Sequence, residues 1–265
     1  SFSLSSRQSQ SPEQAVRDIE RLEQVLASDE VEVDLNLETD GDTSRSHLRI
    51  YSTSPLLLND IVPILDNMSL RARGRTSERV TTADETSSWI TQFEIAGEDY
   101  EPIVDPAIHL RLAQIVRQVL CNLLPNDPLL ALGVQAGLSA SMIALFTTYR
   151  NYFLQVYPGF AANTVNEALL RHIPSVVILA STFEARFALQ RSETPAERTT
   201  DLLPPLAARF LESLESVTLI HEDLVLRRLH GLMAATVRTN FYRPDRGEEI
   251  SIKIDSRTIY DMPRP

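Results

Sequence analysis

The spacing of apolar residues changes once along this 265-residue chain, and that change constrains its layout more than any other feature. Up to Ile95, short runs alternate apolar and polar residues, the period of a half-buried strand, with two helical stretches among them. From Pro106 onward, apolar residues recur at steps of three and four, the period of one helix face. The expected fold class is therefore α+β: a small antiparallel sheet module followed by an all-helical module. The expected divisions are a lead-in over 1–12, the α+β module over 13–100, the helical module over 101–243, and a strand with an extended exit over 244–265.

In the front module Pro12 opens a helix with Val16, Ile19, Leu22, Val25 and Leu26 on one face. Val31, Val33, Leu35 and Leu37 mark a first strand, and Leu48 and Ile50 a second. Ser54 and Pro55 introduce a helix through Leu65. Residues 70–75 read as a third strand, and Trp89, Thr91, Phe93 and Ile95 as a fourth, with 76–87 as the hairpin loop between them. This order suits a small antiparallel sheet with helices on one face. Further on, helices are expected near 106–124, 139–156, 163–172, 174–191, 196–217 and 222–241, with a linker at 192–195. Ile250, Ile252 and Ile254 alternate as a last strand.

Charge is divided unevenly. Residues 1–105 hold 21 acids against 9 arginines, and the remainder holds 15 acids against 16 bases. An acidic front half repels a phosphate backbone, which argues against nucleic acid as a partner. No apolar run reaches the roughly 18 residues that a membrane span needs. The one cysteine, Cys121, lies in an apolar helical stretch and reads as a small core residue, in keeping with a reducing, cytoplasmic setting. The chain starts at Ser1 and stops at Pro265 without a polar tail, and so reads as a piece of a longer polypeptide.

The eight glycines never fall into the G-x-G-x-x-G spacing that close approach to a pyrophosphate requires, and no phosphate-binding G-x-x-x-x-G-K-[ST] is present. The five histidines are scattered; His221-Glu222-Asp223 reads as a helix N-terminus, where acids are favoured, and His230 as a core histidine. No G-x-S-x-G occurs. The acids of 29–42 alternate with apolar residues as a solvated strand face does and lack calcium-loop spacing. Of 25 basic residues only Lys253 is a lysine, and its alternation with Ile252 and Ile254 points it away from the core. No catalytic, cofactor or metal residue is therefore assigned.

One cluster stands out. Arg227, Arg228 and Arg238, with Asn240, Phe241 and Tyr242, form a basic, hydrogen-bond-rich stretch at the end of the last helix. Two readings stay open: recognition of an anion or an interface, or arginines that lie along apolar surface and favour a helix C-terminus.

The residues from 222 to the end also carry a resemblance. Leu226-Arg227-Arg228-Leu229, then 234–242 (AATVRTNFY), then 251–257 (SIKIDSR), closing on Met262-Pro263-Arg264-Pro265, resemble the large-type bacterial NAD-dependent glutamate dehydrogenases. Residues 169–174 and 183–187 resemble that family's helical region. Residues 55–67 resemble the opening of an ACT-like, ferredoxin-like regulatory module, from whose pattern Asn59 and Ser69 depart.

The resemblance implies a parent enzyme that oxidises L-glutamate with NAD and water to 2-oxoglutarate, ammonium and NADH. It implies that this segment precedes the catalytic domain, is inactive alone, and holds no cofactor of its own. The partners it implies are the catalytic domain of the same polypeptide, further copies in a homo-oligomer, and an amino-acid effector. A regulatory and assembly segment is the function expected; an amino-acid sensor and a self-contained helical interaction protein are the alternatives.

Overall fold

The computed structural model describes residues 11–41, 43–81, 86–188, 201–247, 249–259 and 262. It divides into two compact units, Ser1–Ala140 and Ser141–Pro265.

The first unit runs α1 (Pro12–Ser28), β1 (Glu32–Asp40), β2 (Thr43–Ser52), α2 (Leu58–Asn67), β3 (Arg71–Thr81), β4 (Ser87–Ala96) and α3 (Pro106–Leu120), with a 3-10 turn at Pro128–Ala131 and a short α4 (Leu132–Gln135). Its sheet is antiparallel in the order β1-β2-β4-β3. Leu35 stands opposite Leu48, and Leu48 opposite Phe93, so one apolar rung crosses three strands. All three side chains are buried. The first unit extends past the boundary expected near residue 100 because α3 packs against β1, where Arg117 ion-pairs with Glu30 and Glu32. At the end of α3, Cys121 is half-buried, its thiol 4.0 Å from the Val31 carbonyl.

Helices cover both faces of this sheet, where one was expected. On the face of Arg49, Tyr51 and Ile90 lies α1, with Leu22 and Val25 clustered against Tyr51, Val80 and Ile90. On the face of Ser46, Leu48 and Phe93, the segment entering α3 is held by Ser46 Oγ, which donates to the Ile103 carbonyl and accepts from its amide. The inward side of α1 also differs from the expected stripe: Gln14, Asp18, Leu22 and Val25 are buried, whereas Val16 and Ile19 are 55% and 45% exposed. Asp18 turns inward because Arg49 and Tyr51 await it on the sheet.

Residues 76–81, expected in a hairpin loop, continue β3 instead. This edge strand is polar and exposed along most of its length, so it carries no alternation to read. Helix α2 begins at Leu58 rather than at Pro55; the Asp60 carboxylate accepts from the Leu57 amide and closes its first turn.

The second unit is helical: α5 (Ala140–Val156), α6 (Ala162–Arg171), α7 (Ile173–Phe187), α8 (Leu203–Leu214) and α9 (Ile220–Ala235), then a ribbon of β5 (Thr236–Thr239) and β6 (Ile252–Ile254). Helix α8 packs on α7, and α9 on α6 and α7, around buried Phe146, Tyr149, Phe153, Phe183 and Phe210. The linker expected at 192–195 and the helix start at 196 lie outside the described residues. Among the described residues no single helix is long and apolar enough to cross a membrane; α6 and α7 pass that test only as a pair bent by 95°.

The last helix stops at Ala235, not near 241. Thr236, Val237 and Thr239 are β-branched and favour extended backbone, and Thr236 has φ −71° and ψ 124°. The guanidinium of Arg186 stabilises the break by donating to the carbonyls of Met233, Ala234 and Thr236 at 2.6–2.9 Å.

Candidate functional site

The β5–β6 ribbon and the turn after β5 form a basic recess in the second unit. Thr236, Arg238 and Thr239 pair with Ile254, Lys253 and Ile252, and the register shift between Thr236 and Arg238 leaves Val237 as a bulge. Arg238 and Lys253 are thus cross-strand partners, both exposed. Around them lie two cavities, one of about 290 Å³ with Arg186, Phe187 and Tyr242 in its wall, the other of about 310 Å³ with Asn240, Ser251 and Lys253. Arg238, Thr239 and Arg243 line both.

The recess rests on aromatic rings. Phe183 packs edge-on against Phe241 at 5.3 Å and lies 4.9 Å from Phe187, while Phe241 meets Tyr242 at 4.9 Å. Beneath them the Tyr149 hydroxyl is 2.7 Å from Thr236 Oγ1, and burial pushes its pKa up to about 12. Burial also lowers the pKa of Arg186, whose guanidinium sits against backbone carbonyls. Arg243, by contrast, is held charged by its hydrogen bonds to Asp245, which sits below the usual carboxylate range for the same reason.

The candidate residues divide between two places. Arg238, Asn240 and Tyr242 do meet, on the ribbon and its turn rather than at a helix end. Asn240 is occupied structurally: its side chain accepts from the Ser251 amide at 2.8 Å and donates to the Glu249 carbonyl at 3.0 Å, which fixes the ribbon. Arg227 and Arg228 lie elsewhere on α9. Arg227 pairs with Asp223 one turn away, and Arg228 stacks over Tyr157 at 4.3 Å. Neither lies in the last turn of α9, which ends at Ala235, so the helix C-terminus reading does not describe their contacts.

Three members of the recess were not singled out. Arg186 sits within Phe183-Glu184-Ala185-Arg186-Phe187, Arg243 follows the Asn240-Phe241-Tyr242 run, and Lys253 reads in sequence as an exposed strand lysine. The turn that closes them together has no periodicity. Two further clusters also escaped the sequence. Asp18 bonds Arg49 and Tyr51 in the first unit. Glu222 lies in the first turn of α9, as expected, and is also a buried anchor: 2% exposed, it takes both Arg171 and His172 (Nε2 at 2.8 Å). His230 stacks on Phe210 at 4.5 Å, as a packed histidine does. Among the described residues, no three His, Cys, Asp or Glu side chains are grouped to hold a metal ion.

Comparison with known proteins follows the same order along the chain. Residues 30–105 match the glutamate dehydrogenase ACT3 domain, and residues 124–189 match glutamate dehydrogenase helical motif 3. Residues 209–265 match the bacterial NAD-glutamate dehydrogenase catalytic domain, so that family model takes in the ribbon, within the span expected to precede that domain. The NAD-specific glutamate dehydrogenase of Pseudomonas aeruginosa is 32% identical over 228 residues, 83% of this chain and 14% of that protein. That of Halomonas elongata is 25% identical across 100% of this chain and 16% of its own length, and that of Mycobacterium tuberculosis 24% identical across 78% and 13%. The chain spans less than a fifth of the length of the curated relatives it matches. With three family models matched in order and relatives of one name, the chain belongs to the bacterial NAD-specific glutamate dehydrogenases, as a segment that carries their ACT3 domain and helical motif 3.

Proposed function

We propose that this chain is the regulatory and assembly segment of a cytoplasmic NAD-dependent glutamate dehydrogenase. The parent polypeptide converts L-glutamate, NAD and water to 2-oxoglutarate, ammonium and NADH, and this segment alone is inactive. It supports the catalytic domain of the same polypeptide and contacts further copies in a homo-oligomer. The observation that carries this reading is the order of matches: an ACT3 domain, a helical motif, then a catalytic-domain model over residues 209–265. No G-x-G-x-x-G occurs in the sequence, which supports an NAD site supplied by the rest of the parent. The test is NADH formation from glutamate by the 265-residue chain and by a polypeptide of the relatives' length. Turnover by the long form alone is expected; turnover by the segment overturns the assignment.

A second reading, that the first unit senses an amino acid, is favoured by a cavity of about 350 Å³ beside α2 and α3. Asp60, Asn122 and Asn126 line it together with Leu56, Ile64 and Val119, which offers acceptors and amides over an apolar floor. A ligand that binds the folded form raises its melting midpoint. A saturable rise with one amino acid in a panel supports the reading, and no rise with any of them removes it.

A further inference from the structure

Arg238 and Lys253 stand directly opposite one another in the β5–β6 ladder. Side chains opposed in this way leave the same face of a ribbon, close together, and like charges there repel. Both are exposed, both line the same cavity, and neither has an acidic partner among the described residues. The nearby Asp245 does not relieve them, since its carboxylate is engaged by Arg243 at 2.7–2.9 Å. Lys253 is also the only lysine in the chain. A pair of this kind is stable when an anion sits between its members.

We propose that the ribbon is a binding site for a phosphate group, held between Arg238 and Lys253. Two full positive charges match the two negative charges of a phosphate, and a planar guanidinium beside a compact ammonium suits its tetrahedral oxygens. Neutral donors complete the cradle. The Thr239 hydroxyl oxygen accepts from the Phe241 amide at 3.1 Å, which leaves its own proton free to donate, and Ser251, just before β6, offers a second hydroxyl. The bulge at Val237 matters because it brings Arg238 into register with Lys253. The adjoining cavity, with the rings of Phe187 and Tyr242 in its wall, shares Arg238, Thr239 and Arg243 with the first and has room for an organic body carried by the phosphate. The proposal stands independently of the regulatory reading, because its test reads binding and not turnover.

The single lysine makes the test direct. With the chain labelled only at lysine, the side-chain Cε–Hε resonance of Lys253 is the sole reporter, and sodium phosphate is titrated in at constant ionic strength held with sodium chloride. A saturable shift with phosphate, weakened about tenfold or more in Arg238→Gln and unchanged in Arg227→Gln, is the expected result. A phenyl phosphate arm separates the two sources of the group: tighter binding than phosphate itself assigns a phosphate ester, and equal binding assigns the free ion. A shift that grows linearly and equally with chloride overturns the site. Saturation by sodium glutamate but not by phosphate overturns it as well, in favour of a carboxylate.

Discussion

Asp18, fully buried, accepts from the Tyr51 hydroxyl at 2.8 Å and from Arg49 Nη1 at 3.2 Å. Arg49 is 3% exposed, so removal of the carboxylate leaves its buried guanidinium with only the half-exposed Glu38 as an ion-pair partner. Asp18→Ala is expected to lower the stability of the first unit by about 3–5 kcal/mol in urea unfolding. An apolar exchange of both partners, Asp18→Leu with Arg49→Met, is expected to lose much less, since no unpaired charge remains. A loss below about 1 kcal/mol in Asp18→Ala would mean that the pair does not hold α1 to the sheet.

Two tyrosines give the fold an alkaline limit. Burial is the main cause of the raised pKa of Tyr51, with Asp18 beside it, and burial again pushes Tyr149 up to about 12. A raised folded-state value means that the folded chain keeps the proton more firmly than the unfolded one. That stability is fully present below the unfolded value of about 10 and is lost as pH climbs through the folded values. Ultraviolet titration is expected to show part of the tyrosine signal ionising only with unfolding. Tyr149→Phe is expected to remove its share of that late step, and an unchanged profile contradicts the assignment.

Arg186 holds the end of α9 through three carbonyls, which a planar fork of donors can reach together. Arg186→Ala is expected to cost about 3 kcal/mol and to loosen the ribbon. Arg186→Lys is expected to recover less than half of that loss. Full recovery by lysine would point to charge alone, in place of the fork geometry.

His230 sets an acid limit for the second unit. Burial, then the charge of Arg186, holds its pKa below the ordinary value, so the folded form favours the neutral ring. Its contribution is present above the unfolded value of about 6.5 and is lost as pH falls through the depressed folded one. Stability is expected to decline as pH falls below about 6.5, and His230→Phe, which keeps the stack on Phe210, is expected to flatten that slope. An equal slope in the variant rules His230 out as the cause.

Much of this fold is legible where a residue's partner follows from period. Leu48, Ile50, Phe93 and Ile95 alternate and are buried, and the helices Ala140–Val156 and Ala162–Arg171 fall close to their expected spans. Three failures have physical causes. Edge strand β3 buries little of its surface and so carries no alternation. Helix α1 turns Gln14 and Asp18 inward because the sheet face that it meets is polar, a fact held by Arg49 and Tyr51 some thirty residues away. The last helix yields to a strand at Thr236, where the partner β6 and the cap from Arg186 lie far off in sequence. The candidate site was half legible for the same reason. Arg238, Asn240 and Tyr242 are neighbours in sequence, whereas Lys253 joins them only through strand pairing.

The central claim, that the segment regulates and assembles a glutamate dehydrogenase without performing its chemistry, is tested most directly by removing the first unit from the full-length polypeptide. Glutamate-dependent NADH formation and oligomer mass are then measured together, with and without the amino-acid panel. The account predicts that turnover survives while its response to amino acids, its oligomer mass, or both change. Turnover abolished in a folded, correctly assembled remainder, or both properties left as they were, would contradict it.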